Sequence, residues 1–91
     1  MMGVRIELAH MLADLAGGAD TVEVEADTVG AALRALTARH PALAALVWRD
    51  GRFNDQLVAF LNRHDVRHLQ ALDTPVQSGD RLMLITAVEG G

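Results

Sequence analysis

Three features of the sequence predict an α+β fold in which one main helix covers one face of a four- to five-stranded sheet. Two stretches near the start alternate apolar and polar residues, the period of a half-buried strand. A third stretch, "DTVGAALRALTARHP", switches to spacings of three and four, the period of an amphipathic helix. Two further apolar runs, "LVAFL" and "RLMLITAV", lie between turn-forming residues and read as strands.

The first strand is "VRIEL", with Val4, Ile6 and Leu8 on one face and Arg5 and Glu7 on the other. "AHMLADLAGGAD" follows as a long loop with room for a helical turn, broken at Gly17 and Gly18. "TVEVEA" is the second strand, Val22 and Val24 inward. The helix carries Val29, Ala32, Leu33 and Leu36 as its apolar stripe, with Asp27 or Thr28 as N-cap. Pro41 ends it, because a residue before proline is pushed out of helical angles. Gly30 weakens the first turn by up to about 1 kcal/mol against alanine, so a neighbour packed close, such as a strand, is expected there. A short helical turn is read around Leu43 to Val47, then a loop punctuated by Asp50 and Gly51. After "LVAFL" come the turn "NRHD", a short strand at "VRHL", the loop "DTPVQSGD" and the closing strand.

With one helix, one sheet face is covered. Residues 57, 59 and 61, with 82 and 84, are assigned to that face. Val58, Phe60, Met83 and Ile85 then form an apolar patch on the other, the mark of a partner surface.

Composition narrows the function. The chain has 91 residues, 51% of them hydrophobic, which suits one globular domain. Without cysteine there is no disulfide, thiolate metal site or cysteine nucleophile, and a cytoplasmic setting is expected. No apolar window is long enough for a membrane span, and the start lacks the apolar run of a signal peptide. The net charge is −4, and all eight basic residues are arginines scattered along the chain. A nucleic-acid binder needs a basic stripe, so that class is set aside. No phosphate-loop motif and no acid–base pair at useful spacing is present, so neither ATP binding nor catalysis by this chain is expected. His64 and His68 lack a third ligand and are read as solvated, not as a metal site. Arg63 and Arg67 beside them are candidates for recognising an acidic partner.

The sequence ends "AVEGG". In combination, "DTVGAALRALTARHP", "VAFLNRHDVR" with Asn62, "LDTPVQSGDRLMLI" and that tail resemble the MoaD/ThiS family of ubiquitin-like sulfur carriers. The resemblance spans nearly the whole chain. It implies a β-grasp domain with a mixed sheet over residues 1–88 and a flexible tail over 89–91. It differs from the family pattern at Thr86 and Ala87, where prolines are common, at Glu89, where a small residue is common, and at Arg63, His64 and Asp65, where Gly-Glu or a similar pair is common.

The resemblance also implies a chemistry. A MoeB/ThiF-like enzyme would use ATP to adenylate Gly91, and sulfur would displace AMP to leave a C-terminal 1-thioglycine. Gly90, which tolerates angles and close contacts closed to other residues, would let the tail thread a narrow channel, with Val88 and Glu89 leading into it. The sulfur would pass to an acceptor such as the molybdopterin synthase large subunit or a cysteine synthase. Molybdopterin synthesis is the leading expectation, with this chain as the non-catalytic small subunit; cysteine, thiamine or another sulfur product is the alternative. A lysine-conjugating modifier and a plain β-grasp interaction domain are the competing classes. The chain has no lysine, so it could not build lysine-linked chains on itself.

Overall fold

The alternation in "VRIEL" sets the architecture. In the computed structural model, which describes residues 3–87, β1 (Gly3–Leu8) buries Val4, Ile6 and Leu8 and exposes the residues between them more. It pairs antiparallel with β2 (Thr21–Glu25), placing Val4 opposite Val24 and Ile6 opposite Val22. Between β1 and β2 the expected helical turn is α1 (His10–Leu15), which buries Leu12.

The main helix is α2 (Val29–Arg39), eleven residues long as the period predicts. Of the two candidate caps Thr28 is the one used: its Oγ1 accepts from the Ala31 N–H at 3.1 Å. The unpaired Val29 N–H of the first turn donates to the Thr74 carbonyl at 2.9 Å, and Val76 N–H donates to Asp27 O at 3.0 Å. The threonine-proline loop is thus stitched to the start of the helix. Val29, Ala32, Leu33 and Leu36 are fully buried against the sheet.

Pro41 stops α2 and also begins α3 (Pro41–Val47), where its missing N–H costs nothing in the first turn. The segment expected as a loop around Asp50 and Gly51 is instead a hairpin, β3 (Trp48–Arg49) and β4 (Arg52–Phe53). Asp50 and Gly51 have φ of 53° and 76°, the paired positive angles of a type I′ turn. Trp48 anchors the hairpin: its indole N–H donates to Thr37 Oγ1 at 3.0 Å, and its ring meets Phe53 edge-on.

β5 (Leu57–Leu61) and the short β6 (His64–Asp65) follow, then two 3-10 turns, Val66–His68 and Ala71–Asp73, and β7 (Arg81–Thr86). The sheet order is β2-β1-β7-β5-β6. β7 lies parallel to β1 and antiparallel to β5, so the sheet is mixed. Leu57, Ala59, Leu61, Leu82 and Leu84 enter the core as assigned. The strand expected at "VRHL" is replaced by the first 3-10 turn, because the Asp65 carboxylate accepts the Arg67 N–H at 2.9 Å and coils the chain. Among the described residues no helix is long and apolar enough to cross a membrane.

Gly30 has a close neighbour, but not a strand. A Cβ there would lie 3.1 Å from Leu72 O and 3.2 Å from Leu72 Cβ, in the second 3-10 turn. Helix propensity alone makes Gly30→Leu stabilising by up to about 1 kcal/mol. The close approach reverses the sign: urea unfolding should show a loss of about 1–3 kcal/mol, the usual cost of overpacking. A gain would show that the turn yields freely.

Candidate functional site

α2 covers one side of the sheet; the other carries the outward residues of β1, β5 and β7. The pairing register places Glu7 beside Met83, Met83 beside Phe60, and Phe60 beside Asp65, so these four form a row across the sheet. Met83 is 42% exposed, and Phe60 and Ile85 are half-buried. Val58 was expected to share the patch but is only 8% exposed. Its parity is as assigned, since it pairs with Ile85 and lies outside the main core cluster. The larger Ile85 across the ladder and Phe60 two residues along the same face screen it. Of the four residues expected on this face, Phe60, Met83 and Ile85 are therefore the accessible ones.

At the start of β7 this face deepens into a groove lined by Glu7, Phe60, Asn62, Arg63, Arg81 and Met83. Phe60 and Met83 supply its apolar lining. Arg81 and Glu7 form a forked ion pair, Nη2 to Oε2 at 2.9 Å and Nε to Oε2 at 3.2 Å. Arg63 has no ion-pair partner among the described residues. Arg67 does not join the groove: its guanidinium folds onto the Asp65 carboxylate at 2.6 Å. That hydrogen bond holds the Asp65 carboxyl below its ordinary value. His64 falls in β6 and His68 in the 3-10 turn, and among the described residues no three His, Cys, Asp or Glu side chains gather as a metal set.

Asn62 holds the groove's end in shape. Its Nδ2 donates to Asp80 Oδ1 at 3.0 Å, and its Oδ1 accepts the Arg81 N–H at 3.0 Å. Asp80 in turn accepts the Gln77 N–H at 2.8 Å through Oδ2. One amide thus ties the turn after β5 to the turn before β7.

The tail residues Val88, Glu89, Gly90 and Gly91 lie outside the described residues. The point from which they leave is described. Ala87 N–H donates to Gln56 O at 2.7 Å, extending the β5–β7 ladder by one bond. Gln56 is itself fixed, since its N–H donates to Oδ1 of Asn54 at 2.9 Å. Asn54 is 4% exposed, and its Nδ2 donates to Leu46 O at 2.8 Å. The launch point of the tail is therefore braced from α3. The sequence reading missed Asn54, and also Glu7 and Arg81 as the groove's rim. The outward parity of Glu7 and Arg81 was readable, but their partnership depends on β1 lying beside β7.

The chain matches the model of the ThiS family over residues 6–91. It is 27% identical over 93 residues to sulfur carrier protein CysO of Mycobacterium tuberculosis, spanning 99% of this chain and 100% of CysO. It is 39% identical over 87 residues to small archaeal modifier protein 1 of Haloferax volcanii, spanning 89% of this chain and 95% of that protein. The crystal structure of that modifier superposes with a TM-score of 0.84 at 34% identity, covering 94% of this chain and 98% of the modifier. The crystal structure of the BexX/CysO complex of Amycolatopsis orientalis contains a chain matching with a TM-score of 0.87 at 27% identity, covering 97% and 99%. The mixed five-stranded sheet with its helices on one side is the β-grasp fold of these structures. The chain belongs to the ThiS family of ubiquitin-like sulfur carriers and small modifiers.

Proposed function

We propose that this protein carries sulfur on the carboxylate of Gly91 as a co-substrate of other enzymes. The observation that carries the reading is the union of an exposed apolar sheet face with a braced exit for the glycine tail. Phe60, Met83 and Ile85 stand on the outward side of β5 and β7, and β7 leads straight into the tail.

A carboxylate is a poor electrophile. In the proposed sequence an MoeB/ThiF-like enzyme lets a Gly91 oxygen attack the α-phosphorus of ATP, releasing pyrophosphate and forming an acyl adenylate. A sulfide or persulfide sulfur then attacks the Gly91 carbonyl carbon. AMP leaves with the former carboxylate oxygen, and reductive release from any persulfide donor, supplied by a thiol, leaves the thiocarboxylate. Gly91 offers a carbon uncrowded by a Cβ. Gly90 and the residues Val88 and Glu89 before it are the stretch that threads the enzyme's channel. ATP as the activating reagent implies a cytoplasmic setting.

The relatives support one destination of the sulfur over another. The full-length likeness to CysO favours an acceptor of the cysteine-synthesis type over the molybdopterin synthase large subunit. A second reading has its own support in the 39% identity to a small archaeal modifier. The same acyl adenylate passed to a lysine amine would give an isopeptide instead of a thiocarboxylate.

Incubation with ATP, a MoeB/ThiF-like enzyme and a sulfur donor should raise the intact mass by about 16 Da, one oxygen replaced by sulfur. A chain lengthened by one residue beyond Gly91 should show no gain, since its reacting carbon is displaced by about 3.5 Å. Conjugates of higher mass with no gain on the free protein would favour the modifier reading. An unchanged terminus in every case would contradict both.

The apolar face makes a separate prediction. Phe60→Asp should leave the melting temperature within a few degrees of wild type while weakening enzyme binding by about 2 kcal/mol or more, as loss of an aromatic interface anchor does. Destabilisation by about 3–5 kcal/mol with unchanged binding would place Phe60 in the core's service instead.

A further inference from the structure

The β3–β4 and β5–β6 hairpins both turn through paired positive φ angles but use different residues at the second central position. In the β3–β4 turn the second central position is Gly51, at φ 76°, where a residue without a Cβ is unstrained. In the β5–β6 turn the corresponding residue is Arg63, at φ 80°. That is the largest positive φ of any non-glycine residue among those described. Asn62 before it, at φ 48°, is a residue type that tolerates the left-handed region. Arginine is not, and a strained backbone position of this kind points to a side chain needed where it stands.

Arg63 stands at the rim of the groove over Phe60 and Met83. The other arginine there, Arg81, is neutralised by Glu7. The uncompensated charge of the groove is therefore positive, on a chain whose net charge is −4. A guanidinium with no ion-pair partner among the described residues, beside an apolar floor, suits a carboxylate held next to an apolar side chain. A second copy of this chain is the poorer occupant, because two such chains repel one another.

We propose that Arg63 is a specificity-determining residue, which clasps a carboxylate on the adenylating enzyme while an apolar side chain next to that carboxylate enters the groove between Phe60 and Met83. The inference rests on the carrier reading above. Arg81 and Thr86 are the ends of β7, about 17 Å apart at the rise of a strand. Arg63 lies at the Arg81 end, away from Ala87, the last described residue before the tail. It selects the partner on docking and leaves the chemistry alone.

ATP–pyrophosphate exchange catalysed by the MoeB/ThiF-like enzyme, with the carrier as varied substrate, separates docking from chemistry. Arg63→Gly should raise KM about tenfold with kcat unchanged, and the KM of wild type alone should climb steeply with salt. Arg63→Lys keeps the charge but not the fork, and should fall between. The melting temperature of Arg63→Gly should stay level or rise by up to about 6 °C, because the strain is relieved. A purely structural role predicts the opposite pairing, with stability and KM worsening together, and that result would overturn the proposal. An unchanged KM in Arg63→Gly would overturn it too. So would a wild-type dimer, seen by sedimentation, that Arg63→Gly dissolves, since the groove would then belong to a second copy. No exchange by wild type would overturn the carrier reading, and this inference with it.

Discussion

The structure depends on the insertion of its last strand between the first and the fifth. β7 pairs in parallel with β1 and antiparallel with β5, so Leu82 and Leu84 sit at the centre of the sheet against Ile6, Leu8, Ala59 and Leu61. Both leucines are fully buried under α2. Two consequences follow from one placement. The chain leaves the domain from the middle of the sheet, not from a fraying edge. The outward residues of the same strand, Met83 and Ile85, fall at the centre of the open face. The end of the described chain at Ala87 and the open apolar face are therefore set by the same buried leucines, and a core defect at β7 would disturb both.

The rest of the molecule supports that strand at its two ends. At the start, Asn62 joins the turn after β5 to the Arg81 N–H and the Asp80 carboxylate. At the finish, the Ala87 N–H reaches Gln56, which Asn54 ties back to α3. The side-chain amides of Asn62 and Asn54 thus brace the turns at the two ends of the β5–β7 ladder. The ion pair of Arg81 with Glu7 reaches across the parallel β1–β7 pair on the outward face. It leaves an apolar floor flanked by a neutralised pair on one side and, on the other, Arg63, which has no ion-pair partner among the described residues.

What was legible in the sequence follows from how many faces each segment buries. β1 and β2 bury one face, so their residues alternate and their inward sets were readable. β7 and β5 are more continuously apolar. Parity still gave the correct faces, but not the screening of Val58, which depends on the size of its neighbours Ile85 and Phe60. The hairpin at Trp48 to Phe53 was missed although Asp50-Gly51 is the pair that a type I′ turn prefers, because strands of two residues carry no alternation. The 3-10 turn in place of a strand at "VRHL" came from one side-chain bond, Asp65 to the Arg67 N–H, a local competition that periodicity does not register. Of the groove, Phe60, Met83 and Arg63 were assigned to the partner surface from the sequence, but its shape and its Glu7 and Arg81 rim were not legible. It draws on β1, β5 and β7 and on the β5–β6 turn, which only the sheet order brings together.

Activation at the Gly91 carboxylate is the step on which the proposed function turns, and an isotope can follow its oxygen. Carrier whose terminal carboxylate is enriched in heavy oxygen would be turned over once with unlabelled ATP, the MoeB/ThiF-like enzyme and sulfide. Nucleophilic attack by the carboxylate followed by displacement transfers one of its oxygens to AMP, so the account predicts AMP heavier by about 2 Da. Unlabelled AMP formed together with thiocarboxylate would contradict it, because sulfur would then have entered without an acyl adenylate at Gly91.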